Sequence, residues 1–412
     1  MRSTEVVAPN GATERATRLR IGILSELYHF YMNPIMRLRG RGLEARTLPA
    51  LPPEDSAAEL LARFRPMWQS SRPLATGNGT ALRRVVVRLL APRVFLVGAW
   101  QLTDAACNFS QPLIIAVLVR DLRIGTFENL GWDFALVVLL ACAAMGAAVS
   151  LQQVLWGGAR VGMRAKIALS AAVYSQTLML DNDALLQTSA GAATNLVAID
   201  VTRLELGFTF VHMLWYAPLC VVILGVMLWL EVGAAAFPGL GFLVVLFVVQ
   251  RVVGSRIARL RLRIVAETDR RVKLMHDVLQ GFEALKAHAW EEALARRVHE
   301  LRAAEARLIW RSLALLSTLE ALIFFAPGVA TFSILLTRYA LGRAGGHSAL
   351  EIEQEIEIEQ AYAVLGLCNV LVKQFNVFPR AAKSFEEALV SFRRVERFLL
   401  LSSLPDCVRT PR

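Results

Sequence analysis

Long apolar blocks alternate along the chain with charged stretches whose apolar residues fall at helical spacing. Six blocks, at about 94–119, 132–156, 208–230, 233–250, 309–340 and 361–379, are long and apolar enough to cross a bilayer as helices. The fourth, at roughly 18 residues, is near the lower limit for a span. Between blocks four and five runs a charged, proline-free stretch centred on Gly254 to Leu308. Val272, Met275, Leu279 and Phe282 recur every three or four residues on its first arm, and Leu294, Val298, Leu301 and Leu308 do so on its second. That period predicts two amphipathic helices, with the direction reversing at Gly281. Each arm has roughly 27 residues and reaches about 40 Å. Blocks two and three are separated by a comparable stretch, turning near Gly191.

Proline placement agrees with this division. Pro112, Pro218, Pro238 and Pro327 fall inside apolar blocks, where neighbouring helices tolerate kinks. No proline lies between Pro112 and Pro218 or between Pro238 and Pro327, so both long loops are free to extend the spans beside them. The expected division is a cytosolic lead-in and linker over 1–79, an interfacial elbow helix over 80–93, and a six-span domain over 94–400. Its two helical hairpins cover 157–207 and 251–308, and a tail follows over 401–412. Residues 1–18 are polar and Arg-rich with no apolar core, so no cleavable signal peptide is visible.

Composition and charge narrow the class. Of 412 residues 55% are hydrophobic and only 19% charged, which points to a membrane protein. The net charge of +11 does not indicate nucleic acid, because no basic, aromatic-interleaved patch occurs. The Arg-rich second long loop and both chain ends instead place the termini and long loops in the cytosol. The fifth loop is acidic, with Glu351, Glu353, Glu355, Glu357 and Glu359. The five cysteines show no CxxC pair and the six histidines no HxxxH spacing, so neither a disulfide framework nor a metal site is indicated. No nucleophile, base and orienting group cluster as an enzyme site requires, so no catalytic residue is assigned.

Several stretches, in order, carry a family resemblance. They are "FYMNPIMRLRGRGLEARTLPALP", "VGMRAKIALSAAVYSQTLML", "TNLVAIDVTRL", "HMLWYAPL", "DRRVKLMHDVLQGFEALKAHAWEE" and "SFEEALVSFRRVERFLL". Together, over about residues 20 to 400, the chain resembles the first membrane domain of an ATP-binding cassette (ABC) exporter of subfamily C, the multidrug-resistance-associated group. The implied fold is all-α: a six-helix type-1 exporter domain with two long cytosolic hairpins. Two features depart from the family pattern. The acidic run at the start of the sixth span is foreign to it, and His288 stands where an aromatic or amide residue is more usual. No GxxxxGK[ST] loop and no LSGGQ-type signature occurs, so ATP and Mg2+ are expected to act through cassette domains that this sequence does not contain.

The resemblance also implies roles. The hairpin turns would dock on nucleotide-binding domains, through Thr194, Asn195 and Asp200 in the first and Lys286, Trp290 and Glu291 in the second. The implied partners are those domains, a second membrane domain, the lipid bilayer and a small-molecule substrate. Amphipathic organic anions or conjugates are the substrates the family suggests.

The residues themselves supply a candidate transport face. Gln101, Asp104, Asn108 and Gln111 recur at three- and four-residue intervals on the first span, and such a face should point into the bundle or a watery cavity. His212 and Trp215 extend it from the third span, Glu320 from the fifth, and Asn369, Lys373 and Asn376 from the sixth. Interhelical hydrogen bonding that only holds the bundle explains the same pattern. Two other classes stay open at this point. One is a truncated product that pairs with full-length exporters and regulates them; the other is a gradient-driven transporter, which has no need of long helical hairpins.

Overall fold

A backbone facing hydrocarbon must pair its polar groups within its own segment, so apolar blocks of this length have to be helical. The computed structural model describes residues 52–124, 130–181, 190–344 and 358–402. Helix α1 is Ala57–Ser71, α2 is Thr80–Ile124 and α3 is Leu130–Thr177. A short α4, Ala190–Asn195, passes through a π-helical stretch, Leu196–Asp200, into α5, Val201–Phe210. Then come α6 (Met213–Val232), α7 (Ala236–Gln280), α8 (Phe282–Ala287), α9 (Glu291–Ala344) and α10 (Ile358–Leu399).

Among the described residues, five helical stretches are long and apolar enough to cross a membrane. One of them, Gly191–Gln280, carries two of the six apolar blocks. These blocks, on α6 and α7, are joined by a tight 3-10 turn, Gly233–Ala235, in which Gly233 has φ 56°. The left-handed backbone there favours glycine. Gly233→Ala is expected to cost about 1 kcal/mol, read as a small fall in the melting temperature of the detergent-purified protein.

Three details go beyond the sequence expectation. The segment 80–93 runs unbroken in helix into the first span as α2. Block three is split at Val211 and His212, where Val211 N–H bonds Phe208 O and Leu214 N–H bonds Val211 O. Those i to i+3 pairs tighten the chain and separate α5 from α6. On the first arm of the second hairpin the stripe Val272, Met275, Leu279 and Phe282 is exposed, and Leu274 and Val278 are the half-buried residues. The lead-in before Pro52, the stretch before Ala190, the acidic run Glu351–Glu357 and the tail after Ser402 lie outside the described residues.

The described residues form two compact units. The first takes 52–108, 141–181, 190–216 and 380–402. Its core joins Leu82 and Val86 of α2, Ala165 and Leu169 of α3, Val201 and Leu204 of α5, and Val395 of α10. Phe208 meets Phe392 edge to face, with ring centroids 6.2 Å apart. Leu60, Phe64 and Trp68 of α1 are buried in the same unit. On α3, Gly158 and Gly162 let α5 approach backbone to backbone. A methyl at Gly158 would sit 2.8 Å from Thr209 O, and one at Gly162 would overlap Glu205 O.

The last turns of α10 are tied into this unit at several points. Glu396 Oε2 accepts the Leu82 N–H at 2.8 Å, capping the first turn of α2. Arg397 Nε donates to Gly77 O at 3.3 Å. Leu401 O accepts from Gln176 Nε2 at 3.1 Å, and Ser402 O from Asp181 N–H at 3.3 Å.

The second unit takes 109–124, 130–140, 217–344 and 358–379. Cys220, Leu224 and Leu228 of α6 are fully buried in it, as are Ala330 and Ile334 of α9 and Leu367 and Leu371 of α10. Gly239 of α7 lies against α9, where an added methyl would stand 2.9 Å from Ala330 O. Among the described cysteines no disulfide forms.

Candidate functional site

The turn of the second hairpin is a compact structure rather than a loose loop. Helix α7 ends at Gly281, whose N–H bonds Asp277 O at 3.0 Å. The two-turn α8 follows, and the chain re-enters helix at Glu291. Between them Ala289 takes φ 50°, a conformation costly for a residue with a Cβ. His288 and Trp290 stack there, with centroids 4.9 Å apart. Lys286 Nζ pairs with Glu291 at 2.9 Å and lies 5.9 Å from the Phe282 ring centre. The Lys286 hydrogen bond holds the Glu291 carboxyl below its usual range. Thus Lys286, Trp290 and Glu291 come together on one turn. Trp290 is 57% exposed and Phe282 51%, so an apolar face is presented outward.

Behind that turn the arms are held by Glu305, which the sequence reading missed. Glu305 of α9 accepts from Arg271 Nε at 2.9 Å and Thr268 Oγ1 at 2.8 Å of α7, and from Arg302 at 3.0 Å on its own helix. A signal was present. Leu294, Val298, Leu301 and Leu308 form a stripe in which position 305 is the missing apolar member. A carboxylate in that slot needs partners on the facing arm. The Arg271 bond, then Thr268 and Arg302, bring the Glu305 carboxyl from its ordinary 4.5 down to about 2. A depressed carboxyl stabilises the fold fully above its ordinary pKa and ceases to do so as pH falls through the native value. Amide protection factors in residues 265–308, corrected for the intrinsic pH dependence of exchange, are therefore expected to fall as pH drops from 4.5 toward about 2. Glu305→Gln should flatten that pH dependence.

The first hairpin's candidates separate. Thr194 and Asn195 are exposed on α4. Asp200 is fully buried, and the structure gives it a different setting from theirs. Its carboxylate accepts from Ser391 Oγ at 3.1 Å and pairs with Arg394 at 2.8 Å, joining the π-helical stretch to α10. Only the folded arrangement reveals Ser391 and Arg394, since they lie 191 and 194 residues along the chain.

The polar face of α2 is brought together in part. Asp104 is buried and accepts from Gln101 Nε2 at 3.4 Å, Asn108 Nδ2 at 2.9 Å and Tyr216 Oη at 3.2 Å. Tyr216 is a further residue that spacing along α2 did not show. His212 packs near Gly98, where an added methyl would meet its ring at 3.2 Å. His212 also accepts the Trp215 indole N–H at 3.2 Å. Gln111 is half-buried in the second unit. Glu320 is exposed there, and so are Asn369, Lys373 and Asn376, which share one face of α10. The structure gathers Gln101, Asp104 and Asn108 into one cluster and His212 with Trp215 into one pair.

Membrane-crossing helices, long charged helical extensions and a buried polar node on a spanning helix define a multi-pass integral membrane protein. Comparison with known families is more specific. The ABC transporter transmembrane region matches residues 94–348, and the chain belongs to that family. It is 26% identical over 396 residues to ATP-binding cassette sub-family C member 4 of Mus musculus, a match covering 93% of this chain and 29% of the relative. The Homo sapiens protein of the same name is 25% identical over 393 residues, covering 93% and 28%. ATP-binding cassette sub-family C member 3 of Mus musculus is 24% identical over 395 residues, covering 89% and 25%. The chain thus spans less than a third of the length of these relatives.

Proposed function

We propose that this chain is the membrane-spanning half of an ATP-driven exporter that works by alternating access. Binding and hydrolysis of ATP with Mg2+ would be supplied by cassette domains, from the same gene or from partner chains. No phosphate-cradling GxxxxGK[ST] loop occurs in the 412 residues of this chain. The hairpin turn carries the reading. Its stacked His288 and Trp290, the Lys286–Glu291 pair and exposed Phe282 form a rigid, partly apolar docking knob on two long arms. Closing cassettes would pull such knobs together, and the Glu305 cross-link would make the two arms move as one lever.

In this reading both termini and both hairpins lie in the cytosol, consistent with the Arg-rich loops. The residues proposed to meet substrate are Gln101, Asp104, Asn108, His212 and Trp215 of the first unit and Gln111, Glu320, Asn369, Lys373 and Asn376 of the second. Amphipathic organic anions or conjugates are the substrate class, by likeness to sub-family C.

The test is ATP-dependent uptake of a fluorescent organic anion conjugate into inside-out vesicles that contain the chain with its cassette domains. Trp290→Ala should reduce uptake at least about tenfold, the loss expected of a central aromatic anchor. Its melting temperature should not change, because Trp290 is exposed. Undiminished uptake, or uptake that persists without ATP, would sink the proposal.

A further inference from the structure

Three arginines, Arg93 within α2 and Arg160 and Arg164 within α3, line a cavity of about 60 Å³. Arg93, Leu96 and Trp100 line it from α2, and Trp156, Arg160 and Arg164 from α3. That volume holds about four waters. Its walls change character over one helical turn. The arginines lie at the charged ends of the two apolar blocks, while Leu96 and Trp100 lie within the first block. Tryptophan favours this depth, where a bilayer passes from headgroups to hydrocarbon.

The lead-in partly neutralises the arginines. Asp55 pairs with Arg160 at 2.8 Å and also with Arg164, and Glu54 pairs with Arg164 at 2.9 Å and Arg93 at 3.2 Å. Three guanidinium groups against two carboxylates leave one positive charge. Arg93 and Arg160 each have five N–H donors, more than these bonds use. A small soluble anion would use the charge and leave the apolar wall idle. A phospholipid uses both.

We propose that this cavity binds the phosphate of an anionic membrane phospholipid, with Arg93 and Arg160 holding the headgroup and the wall of Leu96, Trp100 and Trp156 taking the start of an acyl chain. Such binding is separate from the transport path and does not depend on transport. It would fix the depth at which α2 and α3 enter the bilayer.

The test uses the delipidated, detergent-purified full chain, titrated with phosphatidylglycerol, phosphatidylcholine or inorganic phosphate while bound lipids are counted by native mass spectrometry. The native chain should retain phosphatidylglycerol at least about tenfold more tightly than phosphatidylcholine, and inorganic phosphate should not displace it. Arg93→Gln with Arg160→Gln, which leaves the buried Arg164–Asp55 pair, should weaken phosphatidylglycerol about tenfold. Arg296→Gln with Arg297→Gln removes two exposed charges elsewhere and should change nothing. Equal retention of the two lipids by the native chain would overturn the proposal without recourse to any variant. So would displacement by phosphate, or equal losses in the two double variants.

Discussion

Gly162→Ala should lower the melting temperature of the purified protein by several degrees, although alanine is the better helix former. In an open helix the change gains about 1 kcal/mol. Here the new methyl would overlap Glu205 O and lie 3.0 Å from Glu205 C, and backbone in α5 has no rotamer to yield. Overpacking of this kind costs about 1–3 kcal/mol. Movement of α5 would also disturb Val201 and Leu204, both fully buried, and the Lys166–Glu205 pair at 2.9 Å. A matched control sits on α6. A methyl added at Gly225 would meet nothing within 4 Å, so Gly225→Ala should be neutral or slightly stabilising. Differential scanning fluorimetry on the two variants side by side decides the matter. A neutral Gly162→Ala would mean that α3 and α5 do not pack this closely.

A larger loss is expected from Asp55→Ala. Burial pushes the Asp55 carboxyl up, but hydrogen bonds from Arg160 and Arg164 outweigh it, and the group titrates below its ordinary 3.8. Removing it leaves Arg164, whose side chain is only 8% exposed, with the more exposed Glu54 as its remaining carboxylate partner and a second guanidinium beside it. Breaking a buried pair by deleting one partner costs about 3–5 kcal/mol. Arg160 is 27% exposed and water can reach it, so a value near the low end, about 3 kcal/mol, is expected. The lead-in should come away first. Limited proteolysis ought to cut between Pro52 and Leu74 in the variant under conditions that leave the native chain intact. The sign with pH follows from the depressed carboxyl. Its contribution is complete above pH 3.8 and disappears as pH falls through the native value.

How much of this was legible in the sequence depended on whether a feature is local. The apolar blocks, the helical period and the turn at Gly281 are properties of neighbouring residues, and the structure has helices and a turn there. The Gln101, Asp104 and Asn108 face was readable for the same reason, since one helix places residues three and four apart side by side. Tyr216 joins that cluster from 112 residues away, beyond the reach of any spacing rule. Asp200 shows the other limit. Its place in a motif implied a docking role, and its burial beside Leu196 and Val201 depends on Arg394 and Ser391, which pair with it from far along the chain. The exposed stripe on α7 marks a further limit. Val272 and Leu279 are apolar at helical spacing, and spacing alone does not say whether the facing surface belongs to the same chain.

The ties around the end of α10 have a mechanical meaning. Glu396 holds the start of α2, Arg397 holds Gly77, and Leu401 and Ser402 are bound to the end of α3. A pull applied to the chain at Ser402 is therefore not carried by α10 alone. It loads the roots of two other membrane-crossing helices at the same moment, as a beam bolted across three posts distributes a weight. Torque at this joint would tilt α2, α3 and α10 in concert, and cutting the Glu396 tie would let α10 swing while α2 stayed behind.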